Sequence, residues 1–169
     1  EDPKSLSDIR RLVGRVLVPV DLSEASIHQV QVARAISEAF SVPLLVTYVV
    51  EPVRSPLAKR LQLPSIELER KTRAEDALAE LLATVPRQLH PEALVAYGDP
   101  AEEISKIARD RRAGLLVIGL HGTPMLGPRM GSVTYRVLCL TPSLVLALPP
   151  RPTQHPPQPE GQATSYVHK

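Results

Sequence analysis

Aromatic side chains are nearly missing from this chain. There is no tryptophan, one phenylalanine and four tyrosines, 3% of the 169 residues. A core without large rings has to be assembled from Val, Leu, Ile and Ala, the palette of buried parallel strands. No basic stripe interleaved with aromatics occurs, which argues against a dedicated nucleic-acid surface. Charge of one sign is lacking as well: 20 basic side chains face 18 acidic ones, for a net charge of +2. Cysteine occurs once, at Cys139, which excludes an internal disulfide framework and fits a reducing, cytoplasmic setting. No apolar run reaches the length of a membrane span and no signal peptide opens the chain, so no membrane partner is expected. The first residue is Glu1 rather than methionine, which reads as a fragment or a processed product, one half of a tandem pair.

Aliphatic residues and proline are plentiful instead. Hydrophobic residues make up 43% of the chain, and its length suits one domain with a real core. Six prolines fall between positions 149 and 159. A segment of that composition buries too little apolar surface to offset its ordering entropy, so 150–169 reads as a disordered tail. Residues 1–14 are polar with a weak helical period through Leu6, Ile9 and Leu12 or Val13, a linker or lead-in helix. The domain proper is then 15–149.

Within it, strand-like and helix-like stretches alternate. RVLVPV (15–20), VPLLVTYVV (42–50), ALVAYG (93–98), GLLVIG (114–119) and SLVLAL (143–148) are short β-branched or aliphatic runs. Between the first two, Ile27, Val30, Ala33, Ile36 and Phe40 recur at helical spacing, behind Asp21 and Ser23, either of which could cap the helix. A proline-broken connection, EPVRSPLAKRLQLPS, leads to a helix carrying Ala74, Leu78, Leu81 and Val85. Asp99-Pro100-Ala101-Glu102 reads as N-cap, N1 proline and N3 glutamate ahead of Ile104, Ile107 and Ala108. VTYRVLCL (133–140) is helical in period, and its Cys139 is expected in the core. Apolar strands separated by amphipathic helices predict an α/β fold, a doubly wound parallel sheet with helices on both faces. Ligands of such sheets bind beyond the carboxyl ends of the strands, where strand order reverses. Here those ends are PVD (19–21) and IGLHG (118–122).

The second of these ends belongs to GLHGTPMLGPRMGSVT (119–134). Glycines 119 and 122 allow positive φ and a close approach of backbone to a ligand. Gly131 and Ser132 then open a helix whose first N–H groups have no intrahelical partner, an anion site in waiting. The plainer alternative is a glycine-punctuated strand exit followed by a capped helix. Asp21 divides in the same way, between a ribose or metal ligand and an ordinary cap. His121 faces phosphate or is structural, and Arg129 is a phosphate contact or a solvated charge. Glu102 and Glu103 read as a solvated pair at a helix start. No Walker-type G-x-x-x-x-G-K-[ST] occurs, no glycine-rich turn follows the first strand, and VDLSE stands where an adenylating SGGxDS-like loop would lie. No general base stands out, so little or no catalysis is expected.

VLVPVDLSEAS (16–26), YVVEP (48–52), YGDPAEEISKIA (97–108) and LLVIGLHG with GSVTYRVL (115–138) together resemble the universal stress protein (UspA-like) domain along nearly all of 15–149. The resemblance implies a five-stranded sheet of order 3-2-1-4-5. It also implies a stress-response regulatory module in which G-x2-G-x9-G-[ST] holds the ribose and phosphates of ATP, accompanied by Mg²⁺. The matching positions are Gly119, Gly122, Gly131 and Ser132, followed by Val133. Asp21 with the Pro19 and Val20 backbone, Val49 at the adenine and Ile118 in the pocket complete the implied site, and Arg129 could add charge. At most slow ATP hydrolysis follows. Homodimer or tandem pseudo-dimer pairing through strand 143–148 is implied too, and a scaffold that binds no nucleotide is the other branch of the family. Two departures stand out. TPMLGPRM puts eight residues between Gly122 and Gly131 rather than nine, with Pro124 and Pro128 removing two donors. Gly114 replaces the usual aspartate at the entry to the fourth strand.

Overall fold

A computed structural model describes residues 5–52, 64–83, 85–123 and 127–150, with side chains for all of these except 64–67 and 121–129. Most of the proline-broken connection after the second strand, and all but the first residue of the tail, lie outside the described residues.

Five parallel strands form one sheet: β1 Val16–Pro19, β2 Leu44–Val50, β3 Glu92–Tyr97, β4 Leu115–Gly119 and, last in the chain, β7 Leu144–Leu148. Their order is β3-β2-β1-β4-β7, the 3-2-1-4-5 order expected. The register sets Val16 beside Leu44 and Leu115, and Leu116 beside Val145. All four residues of β1 are buried, as befits a central strand covered on both faces. Side chains alternate between two cores. Val16, Val18, Leu44 and Val46 pack with Val30, Ala33 and Leu78 on one face. Leu17, Leu45 and Leu116 pack with Ile104, Ile107, Ala108 and Val137 on the other.

The helices are α1 Leu6–Val13, α2 Glu24–Phe40, α3 Pro64–Leu82, α4 Pro100–Asp110 and α5 Ser132–Leu140. The apolar stripe of α1 faces outward, with Leu6 and Leu12 exposed and only Val13 buried. Three expectations need correction. In α2, Ile27 is exposed, and the buried stripe is Ser26, Gln29, Val30, Ala33 and Ser37. Val85 is buried but lies beyond the end of α3. Cys139 is exposed, because α5 is short and buries only Thr134 and Val137 against the sheet.

Gly114 acquires a reason here. The end of α1 docks on the start of β4 through backbone: the Gly114 N–H donates to the Val13 carbonyl at 2.9 Å. A Cβ at 114 would fall 2.6 Å from that same oxygen and closer still to the Leu12 carbonyl. An aspartate has no room where this helix packs.

Candidate functional site

The chain leaves the centre of the sheet by way of β1, and Val20 holds the strand direction with an N–H bond to the Thr47 carbonyl at 2.9 Å. It then turns sharply at Leu22, whose φ of 61° is rare for a branched side chain. Asp21 stabilises that turn. Its Oδ1 accepts from the Ser23 N–H at 2.9 Å and from the Ser26 hydroxyl at 3.0 Å. Ser23 occupies the N-cap position of α2 but makes no side-chain cap bond. Asp21 thus ties down the entry to α2 through the Ser23 N–H and the Ser26 hydroxyl, and the same residue borders a cavity.

That cavity, about 360 Å³, lies beyond the carboxyl ends of β1 and β4, at the point where strand order reverses. Seven of the residues singled out from sequence line it: Pro19, Val20, Asp21, Val49, Ile118, Gly119 and Val133. Its floor is apolar, with Val49 and Ile118 both nearly inaccessible. Gly131 and Ser132 lie beside it, at the start of α5. Gly131 is the N-cap, in an extended conformation (φ −69°, ψ 162°), and adds no side-chain cap. Its carbonyl takes the Tyr135 N–H at 3.0 Å, so the first turn of α5 keeps its outward N–H groups for another acceptor.

Part of the stretch between the two glycine pairs is regular backbone. His121–Thr123 (β5) and Gly127–Arg129 (β6) form a two-stranded antiparallel ribbon, with Gly122 opposite Pro128 and His121 opposite Arg129. Proline is tolerated there because a two-stranded ribbon leaves every second N–H unpaired. Gly122 and Arg129 thus stand in the ribbon, and the side chains of Arg129 and His121 are outside the described set. Pro124 is likewise outside the described residues.

Gly119 is a glycine for a reason other than the one expected. Among described residues the glycines at positive φ are Gly14 and Gly98, so β4 ends without a left-handed turn. A Cβ on Gly119 would instead collide with the Nε2 of Gln29 and lie 3.0 Å from its Cδ. Gln29 lines the cavity and is 8% exposed. Sequence reading passed over it, and also Thr47, buried on the cavity wall. The missed signal was positional: residues 26, 29, 33 and 37 fall on one helical stripe, so Gln29 had to face the sheet.

A second unread group braces the wall. Arg136 on α5 donates to Asp99 at 2.7 Å and to Glu102 at 3.3 Å, both at the start of α4. Glu102 is therefore paired across two helices rather than merely solvated. Asp99 also caps α4 by accepting the Glu102 N–H at 3.2 Å. The Arg136 hydrogen bond, helped by that N–H and opposed by burial, holds the Asp99 carboxyl below its ordinary value of 3.8. A depressed carboxylate contributes stability above its ordinary value and loses it as pH falls through the folded value. Asp99→Ala should cost about 1 kcal/mol at pH 7, the usual effect of a lost cap. In urea titrations the gap to wild type should close below pH 3.8. A gap that persists unchanged in acid would show that the ionised form is not what stabilises.

Among described residues no group of three or more His, Cys, Asp or Glu side chains is placed to hold a metal. No described helix is long and apolar enough to cross a membrane.

A sequence model described as the universal stress protein family matches residues 13–149. A "Universal stress protein in QAH/OAS sulfhydrylase 3'region" from Thermus aquaticus is 33% identical over 134 residues, covering 78% of this chain and 95% of the relative. Among solved structures, universal stress protein UspA from Lactobacillus plantarum aligns with a TM-score of 0.62 at 25% identity, over 80% of this chain and 97% of its own. The universal stress protein from Archaeoglobus fulgidus in complex with dAMP aligns with a TM-score of 0.54 at 19% identity, over 79% and 95%. At that identity it supports the fold alone.

Proposed function

Because the chain belongs to the universal stress protein family, we propose that its crevice takes an adenine nucleotide as a regulatory ligand, ATP with Mg²⁺, with little or no turnover. One observation carries the reading: a cavity with an apolar floor opens at the switch point, beside a helix start whose cap residue has no side chain. The volume is at the small end of the range for ligand pockets, enough for a base and sugar with phosphates extending past it. The base would rest on Val49 and Ile118. The phosphates would reach the N–H groups of α5, with the Ser132 hydroxyl as a further donor and the positive end of the helix dipole behind them. Gly122 and Arg129 of the ribbon would close over that end, with Val133 packing beneath. An adenine nucleotide in the Archaeoglobus neighbour adds support by likeness of fold.

Isothermal titration with ATP and Mg²⁺ tests the reading directly, and heat saturating in the micromolar range is expected. No heat at high micromolar nucleotide would remove it.

A second reading has its own observation. β7 is an edge of the sheet, and Leu144 and Leu146 on it are 49% and 36% exposed. An open aliphatic edge is a liability unless paired, so pairing through 143–148, with a second copy or a tandem domain, would act as a scaffold with or without nucleotide. Light scattering tests the homodimer, which a strict monomer at tens of micromolar excludes. The free thiol of Cys139 suits a reducing compartment, and we place the protein in the cytoplasm.

A further inference from the structure

We propose that the Gln29 carboxamide is a binding group of the crevice that hydrogen-bonds a sugar hydroxyl of the ligand, an inference that rests on the nucleotide reading of the same site. Gln29 is 8% exposed, and its Oε1 is buried with no hydrogen-bond donor among the described residues. A buried amide oxygen left unpaired is unfavourable, whereas an apolar side chain of equal length would pack there without that cost. Packing alone therefore does not account for glutamine at this position. The side chain lies across Gly119, where any Cβ would displace it. It forms part of the wall between the crevice and a neighbouring cavity of about 410 Å³ beside Leu148 and Pro149.

The chemistry of this corner selects the ligand group. Asp21, an acceptor, lines the same crevice as Gln29. Phosphate oxygens are acceptors and are disfavoured beside that carboxylate, while the α5 start offers unpaired N–H donors. A nucleotide with its phosphates at α5 therefore brings its sugar toward Asp21 and Gln29. A hydroxyl both donates and accepts, so it satisfies the carboxamide whichever way the amide is turned.

The test compares ATP, 2′-deoxy-ATP and 3′-deoxy-ATP, each with Mg²⁺, on wild type and Gln29→Met by titration calorimetry. Wild type should bind ATP about tenfold more tightly than one of the two analogues, the one lacking the contacted hydroxyl. Gln29→Met should lose about tenfold for ATP and nothing further for that analogue, with a urea midpoint no lower than wild type. Gln29→Leu serves as the second variant should the methionine not fold. Equal affinity of wild type for all three nucleotides overturns the proposal, and so does a variant that discriminates as wild type does. Absence of ATP binding to wild type removes the nucleotide reading itself, and the role of Gln29 with it.

Discussion

Gly114→Ala should lower stability by about 2–3 kcal/mol, large for the addition of one methyl group. The methyl would meet two backbone carbonyls, those of Leu12 and Val13, and neither can rotate away as a side chain would. Either β4 shifts, disturbing its pairing with β1 and β7, or α1 undocks and loses the burial of Val13 and the Gly114 N–H bond. Gly114→Asp should be worse, about 3 kcal/mol, because it also sets a carboxylate against carbonyl oxygens. Urea denaturation measures the loss, and limited proteolysis locates it. Undocking predicts faster cleavage within residues 5–14 while the rest of the domain stays resistant. An alanine variant with wild-type midpoint and wild-type proteolysis would show that α1 is not seated on Gly114.

Gly131→Val should reduce nucleotide affinity more than 100-fold, equivalent to about 2.8 kcal/mol, while leaving the fold in place. Valine accepts the extended backbone of this position, φ −69° and ψ 162°. The residue supplies no cap hydrogen bond to lose, so the stability cost should stay within about 1 kcal/mol. A branched side chain at the mouth of α5, however, occupies the approach to its unpaired N–H groups. Calorimetry with ATP and Mg²⁺ gives the affinity, and a urea midpoint on the same preparation separates binding from folding. Undiminished binding by a folded Gly131→Val protein would mean that the phosphates lie elsewhere.

The strands were legible because each is an unbroken aliphatic run, and the helices because their apolar residues recur at helical spacing. Handedness gave a doubly wound sheet, and the order of its strands came from the resemblance, since no single segment encodes its neighbours. Burial was read less well, for reasons that differ from residue to residue. Cys139 and Leu138 sit on an apolar-looking helix face, yet α5 lies over the sheet margin, where nothing described covers them. Leu6 and Leu12 keep helical period without a partner surface, because α1 docks through its terminal backbone instead of its apolar stripe. Gln29 is the inverse case, a polar side chain placed against the sheet by its stripe-mates Ser26, Val30 and Ala33. Apolar content was a good guide to secondary structure and a poor guide to which face is covered. Gly119 shows the same limit in another form. A glycine at a strand end suggests backbone freedom, and here it records the bulk of a side chain ninety residues earlier.

Parallel strands share one direction, and this gives the molecule two unlike poles. α1 docks at the starts of β1 and β4, while the crevice and the end of β7 lie at the opposite pole. The Leu120 N–H binds the Leu148 carbonyl at 2.8 Å, and Leu120 lines the crevice, so the end of β7 lies beside it. An attachment made ahead of Leu6 therefore lies away from the crevice, whereas one made at Pro149 lies beside it. For immobilisation on a surface, the amino-terminal pole is the side to anchor, because the crevice then faces solution.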